Sequence, residues 1–396
     1  MTETILRIAA KGDGVTASGR HVAGAVTGDA IGAHGAITPG PHHQEPPCRH
    51  FPVCGGCQLQ HADDTALSQF VTERVTFQAD QHDLAIGKLL PTHLSPRLSR
   101  RRATLHALRT ARGAVIGFRE GRSNRIVDMR ECHIILPELF ALIEPLRKLI
   151  ASHGERGSFD ISLTSASQGI DCVIKGQMAD GLAATEGLLV FAREQGLARL
   201  STDFGYGAEP VWEPEPVTVR MGNVEVPMPT GSFLQPTRDG ENILVADVRD
   251  FLKGAGTAAD LFAGLGTFAF GLPQQTKVLA VEAARDAHLA CRTAANRHAR
   301  SVHAMHRDLF RNPLTAEEIS RFDAVILDPP RAGAREQVAQ IAQSSVQQVA
   351  YVSCNPSSWA RDAATLTAAG FSLAALRPVG QFRWSTHVEL TSHFTR

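Results

Sequence analysis

Apolar and polar positions change rhythm several times along the chain. Residues 1–40 are glycine-rich and hold short β-prone runs, Ile5–Ile8 and His21–Val26, the pattern of a small, strongly turned β unit. Pro39–Pro47 (PGPHHQEPP) reads as a stiff linker, because each proline fixes its own φ. A polar helical stretch follows at Thr65–Gln81. From about Leu90 to Pro229 alternation of period two dominates, with strands at Arg102–Leu108, Ala114–Arg119, Ile161–Thr164 and Asp171–Lys175 and one helix over Pro137–Ala151.

From Glu241 the rhythm becomes strand, loop, helix. A helix at Asn242–Leu252 leads into the strand Thr257–Phe262, the glycine turn Ala263–Gly266 and a helix starting near Thr267. Three more strands, Lys277–Val281, Asp323–Leu327 and Val349–Val352, end at Glu282, at Asp328 and just before Ser353-Cys354. This alternation predicts an α/β fold with a doubly wound, mostly parallel sheet, whose ligands bind beyond the carboxyl ends of its strands. With 396 residues the chain exceeds one core, and the rhythm divides it at 1–40, 41–90, 91–230 and 231–396.

Composition changes this picture little. Charged residues at 20% and hydrophobic residues at 43% are ordinary for globular chains and exclude a coiled-coil rod or long disorder. No apolar run is long enough for a membrane span and the N-terminus lacks a secretory layout, so a cytoplasmic, membrane-free monomer is expected. Net charge is zero, yet Arg97–Arg130 contains ten arginines against Glu120 and Asp128, a local net of +8 that could attract a phosphate backbone.

The strand ends carry the chemistry. Glycines at 264 and 266 let backbone approach a ligand, and Glu282, ending the next strand, is placed to accept from ribose hydroxyls. A nicotinamide dinucleotide site wants a third glycine; Phe268 and Ala269 stand there instead, which favours S-adenosylmethionine. Asp328-Pro329-Pro330-Arg331 holds a carboxylate in an exposed turn, with Arg331 where amino-methylating enzymes carry an aromatic residue. Cys354 precedes a helix that Pro356 starts, and a helix N-terminus favours a nucleophilic thiolate. Glu389 lies on the last strand, where a carboxylate shielded from water can become a general base. Cys48, Cys54, Cys57 and Cys132 offer four thiolates for zinc or an iron–sulfur cluster; Cys172 and Cys291 read as core thiols.

Phe233-Leu234-Gln235, Asp260–Gly266, Asp328-Pro329-Pro330-Arg331, Ser353-Cys354-Asn355-Pro356 and His387-Val388-Glu389, in this order, resemble the RNA uracil-C5 methyltransferase family over nearly the whole chain. The resemblance implies a Rossmann-like class I methyltransferase domain at 231–396. Before it would lie a central β-rich RNA-recognition domain at 91–230, the cysteine loop and helix at 41–90, and a truncated TRAM/OB-like barrel at 1–40. Gln235, Phe262, Gly264, Thr267, Glu282, Asp308 and Asp328 would line the adenosylmethionine and uracil pocket. Cys354 would be the nucleophile and Glu389 the proton acceptor, with Asp328 or Gln235 on the uracil edge. Ribosomal members carry a [4Fe-4S] cluster on the spacing of Cys48, Cys54, Cys57 and Cys132, which favours 23S rRNA over tRNA as partner. Departures exist: Thr267 and Asp308 stand for Asn, Pro236-Thr237 for Val-Asn and Arg383-Trp384 for Pro-His, so altered cofactor contacts and a reshaped base pocket are expected. Two readings of other classes compete: an amino-group methyltransferase needing no cysteine, and a non-catalytic iron–sulfur RNA-binding protein.

Overall fold

A computed structural model describes residues 2–396. Its largest sheet has eight strands in the order Val302–His306, Lys277–Glu282, Thr257–Leu261, Ala324–Leu327, Gln348–Ser353, Glu389–Thr395, Ser372–Gly380, His93–Leu94. The first five are mutually parallel and all end on one rim; Glu389–Thr395 runs antiparallel to both its neighbours. These strands are buried on both faces and read as near-continuous Val/Ile/Leu/Ala runs, as covered parallel sheets do.

The two faces bury separate apolar clusters. One holds Trp359, Tyr351, Phe394 and the helix Asp64–Asp80 through Phe70, Val71 and Val75. The other holds Leu244 and Val248 of the helix Arg238–Phe251 together with the hairpin Thr218–Met221/Val224–Pro227. A second sheet of six strands, Arg102–Thr110 and Gly157–Ala166 among them, packs its own core against the helices Ile143–His153 and Leu182–Glu194. Residues Glu3–Thr38 form a five-stranded antiparallel sheet around Ile5, Val22 and Ile31. Among the described residues no helix is long and apolar enough to cross a membrane.

Three expectations change. The helix over Pro137–Ala151 is two helices, Pro137–Ala141 and Ile143–His153, because Pro145 has no N–H to give the Ala141 carbonyl. No helix starts near Thr267: the segment is a run of turns, in which the Phe270 and Leu272 N–H groups reach the Gly266 and Phe268 carbonyls at 2.9 and 3.1 Å before Pro273, with no N–H to give, ends the run. The proline-rich stretch is not a free linker, for His43 Nδ1 lies 2.8 Å from Asp29 Oδ2 and the Gln44 N–H donates to the His61 carbonyl at 2.8 Å.

Candidate active site

Parallel strands deliver the residues after Leu261, Val281, Leu327 and Ser353 to the same rim. Phe262 turns the chain with a φ of 65°, a left-handed conformation rare for an aromatic residue and found where a site overrides local preference. Its ring lies 5.3 Å from that of Phe310. The Gly264 N–H donates to Glu282 Oε2 at 2.9 Å, and the Ala284 N–H to Oε1 at 2.7 Å, so the glutamate ties the glycine turn to the neighbouring strand. Gly266 must be glycine: φ is 90°, and a Cβ would sit 2.6 Å from the Phe270 ring. A Cβ at Gly264 would meet open space, so its backbone faces outward.

Asp260, one turn behind, is fully buried with Oδ1 unpartnered. Burial, then the charges of Asp328 and Glu282, push its carboxyl up to about 8. Thr267 donates its hydroxyl to Met221 Sδ at 3.7 Å, and Asp308 Oδ1 accepts from the Phe310 N–H at 2.9 Å. Both positions use their side chains within the protein.

Asp328 and Cys354 are joined through backbone. Asn355 Nδ2 and Ser358 Oγ both donate to the Arg331 carbonyl, at 2.9 and 3.0 Å, locking the Asp-Pro-Pro-Arg turn onto the cysteine loop. The helix Pro356–Ala368 follows as expected, capped by Asn355, whose side chain accepts from the Ser357 N–H. Glu389 arrives from the antiparallel strand: Leu390 pairs with Ser353, which sets Glu389 beside the end of the cysteine strand.

The electrostatics couple these groups. Burial pushes Glu389 up to about 8, with Asp328 adding to it, and burial raises Asp328 to about 7. The Cys354 thiol is also pushed up, by burial first and then by Glu389 and Asp328, with Arg331 opposing. Burial and the two carboxylates thus oppose the ionisation that a helix N-terminus favours.

Sequence reasoning missed several neighbours. His387 Nδ1 lies 3.0 Å from Arg331 Nη2, and since arginine only donates, the imidazole nitrogen accepts. Gln381, not singled out by the sequence, is buried beside Glu389 and beside Gln235, which was expected in the pocket and itself lies next to Asp328. Arg101 donates to the Gln235 carbonyl at 3.0 Å and pairs with buried Glu241. Replacing Arg101 by methionine would strand that carboxylate, with an expected loss of about 3–5 kcal/mol, read as a lower denaturant midpoint at unchanged slope.

Arginines 97, 100 and 102 are similarly occupied, lying over Trp384, Phe382 and Phe233 at 4.8, 5.0 and 5.7 Å. Stacking leaves those charges intact, whereas Arg101 is neutralised by buried Glu241 from outside the segment, so the segment offers less free charge than its net of +8 suggests. Of this segment Arg100, Arg119 and Arg122 border an open groove of about 770 Å³, which Lys11, Glu120, Arg331, Phe382 and His387 also line. Trp384 is buried, and its carbonyl accepts from the Gln58 and Leu59 N–H groups at 2.7 and 2.9 Å. The backbone at position 384 thus secures the cysteine loop to the catalytic rim.

Cys48, Cys54, Cys57 and Cys132 all border one small cavity, closed mainly by Phe51, Phe118, Met129 and Ile134. Among the described residues no group of three or more His, Cys, Asp or Glu side chains is drawn close enough to hold a single metal ion.

Similarity to known proteins follows the same rim. A family model for tRNA (uracil-5-)-methyltransferases matches residues 215–396. An uncharacterized RNA methyltransferase of Zymomonas mobilis is 45% identical over 393 residues, covering 99% of each chain. A 23S rRNA (uracil(1939)-C(5))-methyltransferase of Pectobacterium atrosepticum is 30% identical across 90% of this chain and 81% of its own. The tRNA (uracil-54, C5)-methyltransferase of Pyrococcus abyssi, solved with S-adenosyl-L-homocysteine, superimposes with a TM-score of 0.76 at 21% identity, covering 100% of this chain and 99% of its own. The chain belongs to the RNA uracil-C5 methyltransferase family and is an S-adenosylmethionine-dependent RNA methyltransferase.

Proposed function

We propose that this enzyme methylates C5 of one uridine in 23S rRNA through a covalent bond between Cys354 and C6 of the base. The observation that carries the reading is the convergence of Cys354, Glu389 and Asp328 at strand ends on one rim beside the glycine turn. C5 of uracil is a poor nucleophile. Addition of the Cys354 sulfur to C6 makes an enolate that is rich in electrons at C5. S-adenosylmethionine, a co-substrate, supplies the methyl group. Glu389 then takes the C5 proton, the C5–C6 double bond re-forms and the thiolate leaves. A carboxyl held near 8 binds that proton more readily than an ordinary one.

Gln235, Phe262, Gly264, Thr267, Glu282, Asp308 and Asp328 would hold the co-substrate and the base. The rim suits them: backbone at Gly264 faces open space, and Asp260 has a buried oxygen without a partner. The flipped base would enter from the groove that Lys11, Arg119 and Arg122 border, with the N-terminal and central sheets guiding the strand.

Cys48, Cys54, Cys57 and Cys132 would carry a [4Fe-4S] cluster. Four soft donors around one apolar cavity suit it, and zinc would require all four sulfurs about 2.3 Å from a single point. The cluster would serve as an anchor, since Gln58 and Leu59 tie this loop to Trp384. Anaerobic reconstitution should give about four iron per chain with visible absorbance; stoichiometric zinc without iron would overturn the assignment. Removal of iron should weaken RNA binding before it slows methyl transfer on RNA already bound.

The 23S assignment draws on the Pectobacterium relative, whose named target is uracil 1939 of that RNA. Mapping 5-methyluridine in ribosomal and transfer RNA from cells with and without the gene tests it. Loss of one 23S position is expected, and loss only from tRNA would overturn the choice of RNA.

A further inference from the structure

Gln381 follows the strand Ser372–Gly380 and is 1% exposed. Its Nε2 donates to Gln235 Oε1 at 2.9 Å and to Glu389 Oε2, while its Oε1 accepts from the Thr237 hydroxyl at 3.5 Å. In the ionised form that acts as a base Glu389 only accepts, so there the nitrogen of Gln381 faces it, which fixes how the amide is turned. The same bond occupies the oxygen of Gln235, leaving that residue's nitrogen toward Asp328 Oδ2 at 3.5 Å. One continuous chain of contacts thus runs Glu389, Gln381, Gln235, Asp328.

Space for it is made on purpose by a missing side chain. Gly240 lies in the first turn of the helix Arg238–Phe251, where glycine costs about 1 kcal/mol relative to alanine. A Cβ there would sit 2.5 Å from Gln381 Cγ and Oε1.

We propose that Gln381 is a positioning residue, which clamps the Glu389 carboxyl to the Gln235 amide so that proton acceptor and uracil-reading group keep one geometry. The inference rests on the uracil-C5 reading above. Uracil offers carbonyl oxygens that accept and a single ring N–H that donates. A Gln235 nitrogen turned toward the site matches a carbonyl, and the neighbouring Asp328 oxygen matches the N–H. Without Gln381, Gln235 is free to turn over, and Glu389 loses a donor that favours its ionised form.

The test uses the full-length enzyme, S-adenosylmethionine and unmodified 23S rRNA transcribed in vitro. Gln381→Met keeps the length and removes the hydrogen bonds. The expected kcat is lower by on the order of 10- to 100-fold. The acid limb of kcat should move to higher pH, because the unsupported carboxyl holds its proton more tightly. Methylated RNA still bonded to protein should accumulate on denaturing gels, since proton removal has become slower than methyl transfer.

A merely structural role would reduce the folded fraction and leave both the limb and the adduct per folded molecule at wild-type values; that result overturns the proposal. Gly240→Ala keeps the amide but intrudes on it, and should move the limb the same way by less. If Gln381→Met does not fold, Gly240→Ala decides, and a wild-type limb there overturns the proposal. Trapping of wild-type enzyme by 5-fluorouridine RNA separates the two layers. If wild type is trapped and the variants keep its acid limb and its adduct level on unmodified RNA, only the role of Gln381 falls; if wild type is never trapped, the uracil-C5 reading falls with it.

Discussion

Cys354→Ala should lose methyl transfer by on the order of 10⁴-fold or more, with RNA and adenosylmethionine binding little changed. The size follows from the chemistry: without a sulfur on C6 there is no electron-rich C5 to take the methyl group. Cys354 is half-buried, at a strand end outside both apolar clusters, so its removal opens no core cavity. Cys354→Ser should be almost as inactive, because a hydroxyl gives up its proton far less readily than a thiol. The decisive readout is RNA bearing 5-fluorouridine at the target. Fluorine on C5 cannot leave as a proton, so the wild-type adduct should persist on a denaturing gel and the alanine variant should form none. Alanine enzyme that keeps its activity would instead select an amino-group methyltransferase.

Much of the rim could be read from residue order alone, because a doubly wound sheet brings every parallel strand end to one edge. That rule placed Phe262, Glu282, Asp328 and Cys354 together, and the eight-stranded order bears out the placement. It did not reach Glu389, whose strand runs the other way and joins the rim by its first residue; the family resemblance supplied it. Gln381 and Gly240 were illegible for a different reason. Each matters through a contact with a residue more than a hundred positions away, and neither belongs to a residue type that signals chemistry alone.

The arginine segment shows the converse error. Counting charge treated Arg101 and Arg119 alike, yet one is buried against Glu241 and the other borders the groove. Charge patterning reports how many cations exist, and only packing decides which of them still face a phosphate.

Glu389→Gln should halt the reaction halfway. The amide cannot take the C5 proton, so turnover should fall by on the order of 10²- to 10⁴-fold. The first half should proceed, because Glu389 takes no part in the addition of sulfur to C6 or in methyl transfer to C5. RNA methylated once and still bonded to Cys354 should therefore accumulate, seen as label from the adenosylmethionine methyl group migrating with the protein–RNA band. The pH dependence has a definite sign. In the wild type the carboxyl is pushed up to about 8, by burial first and then by Asp328, and only its ionised form can act as a base. As pH falls below about 8, kcat should drop roughly tenfold for each unit, a consequence of simple titration. In Glu389→Gln that limb should vanish from the residual release of product. Free methylated RNA released at the wild-type rate, with no adduct building up, would remove Glu389 from the mechanism and leave proton transfer to another group on the rim.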